Sequence, residues 1–185
     1  MNDADRTLDD AEALWAAALS SAGAGTLSAP SGCGEWSNRE LIDHVIGGAD
    51  RYRMLIEGAS AGDTAVTRGR DYIGDDPVAA FWRYERALRA AASSADLGLP
   101  VDHRAGPRSG TELMTMRVME LTLHAQDLCV GLGIPWAPPE RLCEYLLTEA
   151  APVIDGLRGL GLFAAATAPR SATPADRLLA FTGRS

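Results

Sequence analysis

The chain has 185 residues, 17 basic against 25 acidic side chains, and a formal net charge of −8. All 17 basic residues are arginine and none is lysine, which excludes Schiff-base chemistry of the pyridoxal-phosphate and class I aldolase kinds and the phosphate-loop lysine of nucleotide hydrolysis. With a sequence pI near 4.8 and no basic run, neither nucleic acid nor an anionic membrane surface is expected as a partner.

Helical periodicity runs along the chain and strand alternation is nearly absent. From Thr7 to about Ser20, Leu8, Ala11, Trp15 and Ala18 form one apolar stripe, which gives way to Gly23, Gly25 and Pro30. Ser37-Asn38-Arg39-Glu40 is a capping box, in which the serine side chain satisfies an amide of the first turn and the glutamate reaches back to the cap amide. It opens a second helix whose inward stripe is Leu41, Val45, Gly48, Tyr52 and Leu55. Residues 57–76 read as a loop, closed by Asp76-Pro77 as N-cap and first helical position. A third helix follows, with Val78, Phe81, Trp82, Leu88 and Ala92 facing inward.

Residues 97–110 form another loop, rich in Gly and Pro. From Thr111 to about Leu132 runs the longest periodic segment, stopped by Gly131, Gly133 and Pro135. Pro138-Pro139 opens a fifth helix with Leu142, Tyr145, Leu146 and Val153, kinked or broken at Pro152. A short last helix starts at Thr173-Pro174 and carries Leu178, Leu179 and Phe181. No repeat, low-complexity tract or linker divides the chain. These elements predict a single all-α domain over residues 1–185, a four-helix bundle with additional short C-terminal helices and loops long enough for crossover connections.

No apolar run reaches the roughly 18 residues of a membrane span, because Asp155 and Arg158 interrupt the most apolar late stretch. The amino-terminal MNDADRTLDD is acidic where a secretion signal is basic and then apolar. Cys33, Cys129 and Cys143 are odd in number and form no CxxC pair, as expected of reduced thiols in a cytoplasmic protein.

Only three histidines are present, and two sit on the buried-face pattern. His44 lies between Leu41 and Val45 at the edge of the second helix's apolar face. On the fourth helix, Glu120 precedes His124 by one turn, so the two side chains project from one side. The stripe Leu113, Met116, Arg117, Glu120, His124, Asp127 and Gly131 thus places polar groups on a line that should face a core. A buried carboxylate and imidazole cost several kcal/mol unless paired or metal-bound. If the second and fourth helices are neighbours, His44, Glu120 and His124 make a two-His, one-carboxylate metal site with open positions. The plainer alternatives are a surface ion pair for Glu120 and His124, and a hydrogen-bonded core histidine for His44. Arg117 reads by default as an ion-pair partner of Glu120 or Glu112. Asp127 is either an acceptor behind a ligand histidine or a helix-surface carboxylate. His103, in VDHRAGPRSG, is expected to face solvent unless its loop folds over the site.

CGEWSNRELIDHVIGGADRY and MELTLHAQDLCVGLGI resemble the two signatures of the DinB-like, mycothiol-dependent maleylpyruvate isomerase metal-binding domains. The first is a Trp-Ser/Thr segment leading to a histidine, the second Glu-x-x-x-His followed by Asp. The tail TPADRLLAFTGR is similar to the closing segment of a shorter, single-domain subgroup of the actinobacterial type. The resemblance implies a DinB-like four-helix bundle in which His44, Glu120 and His124 hold a divalent metal, most often zinc, at the open end of a cavity. It further implies a low-molecular-weight thiol, mycothiol, as co-substrate and a small-molecule electrophile as substrate. The activity implied is therefore a metal-dependent thiol S-transferase or isomerase. Arg117, one turn before Glu120, is a candidate for binding a substrate carboxylate, which nothing in the motif requires. Maleylpyruvate isomerisation itself is not expected, since the isomerase carries a further C-terminal domain that supplies substrate-binding residues. Many members also have Trp where this chain has Gln126, which predicts a different cavity wall. A non-catalytic metal-binding or accessory protein, and a thiol-independent metalloenzyme of specialised metabolism, are the alternatives from other classes. Bundles of this kind often pair through an exposed helix face, so a homodimer is an expectation.

Overall fold

Side-chain caps open several of the helices of this computed structural model, and its residues 3–184 are described below. Helix α1 (Asp3–Ser20) starts a turn earlier than the apolar stripe indicates, because its first turn is polar and adds nothing to that stripe. Helix α2 (Asn38–Ile56) opens on the expected capping box, with Glu40 Oε2 accepting from Ser37 N at 2.8 Å. The segment read as a loop at 57–76 contains a short helix, α3 (Ala61–Ala65), held by its own capping box between Ser60 and Asp63. Five residues are too few to show a period, so only the caps announce it. Asp76 caps α4 (Pro77–Ser94), whose first turn carries the proline.

The second loop folds back on itself as β1 (Pro100–Val101) and β2 (Arg108–Ser109), antiparallel, with Pro100 opposite Ser109. Ser109 and Glu112 form a third capping box at the start of α5 (Gly110–Leu132). That helix stops at Gly133, whose φ of 65° is the left-handed cap that glycine adopts without strain. The fifth helix divides as expected into α6 (Glu140–Thr148) and α7 (Ala151–Gly159), with Pro152 in the first turn of α7, where a missing amide costs nothing. Thr173 caps α8 (Pro174–Phe181).

The bundle is formed by α1, α2, α4 and α5. Helix α1 packs on α4 and α5, and α2 packs on the same two, so α1 and α2 lie across one diagonal and α4 and α5 across the other. The consecutive helices α1 and α2 are not neighbours, and residues 21–37 therefore cross the end of the bundle. Trp15, Leu41, Ile42, Ile46, Phe81, Leu88 and Leu121 fill the centre with almost no exposure. Each such side chain contributes about 1.5–3 kcal/mol by burial, enough together to hold charged groups on α5 inside the bundle. Helix α6 packs on α1, α7 and α8, and α7 reaches α5. The fold is all-α and DinB-like. Among the described residues no helix is long and apolar enough to cross a membrane.

Candidate metal centre

Helical spacing of three and four aligns Arg117, Glu120, His124 and Asp127 along α5, and packing of α2 on α5 brings His44 to the middle of that line. His44 Nε2 stands 3.2 Å from Glu120 Oε1. The His44 and His124 rings are 5.3 Å apart and nearly perpendicular, at 85°. One ligand atom from each of His44, Glu120 and His124 lies within 4.8 Å of the others. A tetrahedral ion with bonds of about 2.0–2.1 Å separates its donors by about 3.4 Å, so the three groups fit one ion with small adjustments.

Two of the three donors are also supported by a second group. His124 Nδ1 donates to Asp127 Oδ2 at 2.9 Å, which leaves Nε2 for a ligand, and Asp127 accepts two bonds of 3.1 Å from Arg184. Asp127 is 1 % exposed, so of its two readings the acceptor behind His124 is the one found. Glu120 Oε2 accepts from Arg117 Nη1 at 2.7 Å. Arg117 in turn donates to Glu85 Oε2 at 2.6 Å and to Val45 O at 3.0 Å. Gly48 makes room for this pair: a Cβ there would lie 2.9 Å from Glu120 Oε2 and 3.2 Å from Arg117 Nη1.

Burial opposes ionisation of Glu120, but hydrogen bonding to His44 and the Arg117 charge outweigh it and hold the carboxyl far below its usual range. Burial lowers His44 despite Glu120, which favours the neutral imidazole that a metal requires. Burial alone would lower His124 as well, yet hydrogen bonds with Asp127 and Cys33 raise it to about 9.

The three donors line a cavity of about 270 Å³. Met116, Met119, Leu123 and Leu157 give it apolar walls. The 31–37 segment closes one side. Gly32 N donates to Asp127 O at 2.8 Å, the Trp36 ring sits 4.8 Å from that of His44, and Cys33 lies beside His124. The other two cysteines, Cys129 and Cys143, are buried free thiols on α5 and α6.

Two expectations need correction. His103 does not face solvent: it is 8 % exposed and lines the cavity, because the β1–β2 pairing and a 3.0 Å bond from Ala61 N to Asp102 tie its loop down. Arg117 does not face the cavity at all. It has no exposure, and its guanidinium is committed to Glu85, Glu120 and the Val45 carbonyl, so the ion pair with Glu120 expected by default is present and no room is left for a substrate carboxylate. Gln126 is also absent from the cavity wall. Sequence reasoning missed Arg51, Arg68 and Arg104, which do line it. They come from three separate segments, and no pattern in the sequence joins them.

The fold is similar to that in the crystal structure of a mutant of the mycothiol-dependent maleylpyruvate isomerase, with a TM-score of 0.61 at 18% identity over 81% of this chain and 70% of that one. Two uncharacterized proteins, from two strains of Mycobacterium tuberculosis, are each 30% identical to it over 177 residues, 94% of this chain and 93% of theirs. Residues 8–129, which include His44, Glu120 and His124, match the family described as the mycothiol maleylpyruvate isomerase N-terminal domain. The chain belongs to that family.

Proposed function

We propose that this protein binds one divalent ion, zinc, through His44, Glu120 and His124, and is a mycothiol-dependent S-transferase or isomerase acting on an electrophilic small molecule. The observation that carries this reading is the convergence of two imidazoles and a carboxylate on a cavity wall, with Asp127 behind one and Arg117 behind another. Three protein donors leave a fourth position for a ligand from the cavity. Membership of a family named for mycothiol supports a thiol as that ligand. Zinc held there supplies the deprotonation of a coordinated thiol near neutral pH.

The chain's own residues do the rest. Asp127 holds the proton on His124 Nδ1 and so presents Nε2. Arg117 occupies one oxygen of Glu120 and leaves the other toward His44. Met116, Met119 and Leu123 keep that side of the cavity apolar, where charge interactions are stronger than in water. With no lysine in the chain and two of its three histidines in the ligand set, His103, which burial keeps toward the neutral imidazole, is the remaining nitrogen base in the cavity wall.

Elemental analysis of the purified protein should find about one zinc per chain, lost in His44→Ala and in His124→Ala. A wild-type protein that takes up no divalent ion overturns the metal reading. Zinc-loaded protein with mycothiol and monobromobimane should form conjugate above the uncatalysed rate. Absence of any excess over a panel of electrophiles removes the thiol from the proposal and leaves the metal.

A further inference from the structure

Several arginines of this acidic chain are held by carboxylates: Arg39, Arg141, Arg158 and Arg184 by one each, and Arg53, Arg89 and Arg117 by two. Arg68 and Arg104 have no such partner, and their position sets them apart from other surface arginines. Among the described residues neither guanidinium has a hydrogen-bond or ion-pair partner, although the chain has eight more acidic than basic side chains. Both line the cavity of the candidate metal centre, Arg68 from the turn after α3 and Arg104 from the loop after β1. Arg51 joins them from α2. It is 8 % exposed, and Nη2 donates at 3.0 Å to the carbonyl of His44, which ties it to the backbone of a candidate ligand. Burial first, then the fields of Arg51 and Arg104, lower the pKa of Arg68, as expected of guanidiniums that crowd one space. The one carboxylate in that wall, Glu120, is already taken by Arg117 and His44.

Like charges that converge on one space repel, and an anion placed among them turns repulsion into attraction. Guanidinium groups suit carboxylates and phosphates, which they bind in forks. Phosphate sites commonly add the free amides of a helix N-terminus. Here those of α3 are already spent on Ser60 and Asp102. The space, about 270 Å³, lies just below the roughly 300–1,000 Å³ of drug-sized sites and suits a small acid.

We propose that Arg51, Arg68 and Arg104 form an anion subsite in the wall of the metal-centre cavity, and that the electrophilic substrate carries a carboxylate. This rests on the reading of the cavity as the reaction chamber and deepens it by naming the chemical class of the second substrate. A carboxylate-binding role, for which the sequence makes Arg117 only a candidate, falls to these three residues.

Calorimetric titration of zinc-free protein with succinate, succinamide and inorganic phosphate tests the subsite without metal, thiol or turnover. Succinate should bind with an affinity that falls as sodium chloride is raised, and succinamide should not compete. The double variant Arg68→Gln/Arg104→Gln should bind succinate at least about tenfold more weakly while keeping its zinc stoichiometry and far-ultraviolet circular dichroism. The single variant Arg104→Glu, at an exposed loop position, gives the same answer should the double variant fold poorly. Equal binding of succinate and succinamide, no binding of succinate to wild type, or unchanged binding by the variants overturns the proposal. Phosphate bound more tightly than succinate overturns the carboxylate assignment. A failed conjugation assay with intact succinate binding counts against the thiol reading alone, and the reverse result counts against this subsite alone.

Discussion

The two oxygens of Glu120 face different worlds. On the Oε2 side, Arg117 and Glu85 are sealed inside the bundle at 0% and 1% side-chain exposure, and each charged group has an oppositely charged partner. On the Oε1 side, His44, His124, Arg68 and Arg104 line a cavity where donors and cations outnumber their protein partners. Burial and charge thus serve opposite ends one helical turn apart on α5. Matched charge on the closed side holds the helices in register, and unmatched groups on the open side are free to bind something else.

Arg117→Met breaks the closed side and should have the largest effect. It strands the Glu85 and Glu120 carboxylates in the core, and removal of one partner from a buried ion pair costs about 3–5 kcal/mol. Urea denaturation of the apo protein reads this directly. Arg68→Gln, on the open side, should change stability by no more than about 0.5 kcal/mol. Similar losses in the two variants would erase the distinction between the two sides.

Removing a ligand from the open side should reverse the pattern. His44→Ala and His124→Ala each leave every buried ion pair of the closed side intact, so apo stability should fall less than in Arg117→Met, and more in His124→Ala, which loses its bond to buried Asp127, than in His44→Ala. Zinc affinity should fall by more than the about 10–100-fold typical of losing a group behind a ligand. Competition with a chelator dye gives the number. Retained stoichiometric zinc in both variants would mean that the ion sits elsewhere.

Asp127→Asn acts one step further out and should weaken zinc binding by about 10–100-fold. Its pH dependence is specific. His124 titrates at about 9 in the apo protein, so below that pH zinc must displace a proton, and apparent affinity should fall about tenfold per unit as pH drops from 9 toward 7. His44, lowered by burial, adds no such competition in that window. The Asn variant loses the carboxylate that retains the His124 proton, so its slope should be flatter and its deficit largest at pH 9. Equal slopes for the two proteins would show that Asp127 does not set the His124 proton.

Much of this was legible in the sequence, and the limits are physical. The capping box at Ser37 and the one-turn spacing of Glu120 and His124 are local facts of helix geometry, so they survive folding unchanged. A period also assigns a side chain to a face. It does not say what stands opposite: the default reading of Arg117 as an ion-pair partner of Glu120 is the one found, whereas its candidacy for a substrate carboxylate fails because a second partner, Glu85, comes from α4. The short α3 and the two-residue strands have no period to detect, although the Ser60–Asp63 and Ser109–Glu112 caps beside them carry the same signature as Ser37–Glu40. The rim arginines lie in two loops and on one helix. Only the tertiary fold makes them neighbours.

Gly48→Ala probes the boundary between the two sides and should have the smallest effect. Position 48 is in the interior of α2, where alanine gains about 0.5–1 kcal/mol over glycine in helix formation. The added methyl would stand 2.9 Å from Glu120 Oε2, and overpacking a tight site costs about 1–3 kcal/mol. A free glutamate would swing aside, but this one is pinned at 2.7 Å by an arginine that is itself held by Glu85. The two terms largely offset in thermal stability, so the melting temperature should move little. The displacement instead falls on Glu120, whose other oxygen faces His44, and zinc affinity should drop by a factor of about ten or less, corresponding to at most 1.4 kcal/mol. Gly47→Ala, one residue earlier, serves as the contrast: its methyl would meet Arg51 and Tyr72 and leave Glu120 untouched. If both variants weaken zinc equally, close packing along α2 in general, and not the room that Gly48 leaves for the Glu120–Arg117 pair, sets the position of the carboxylate.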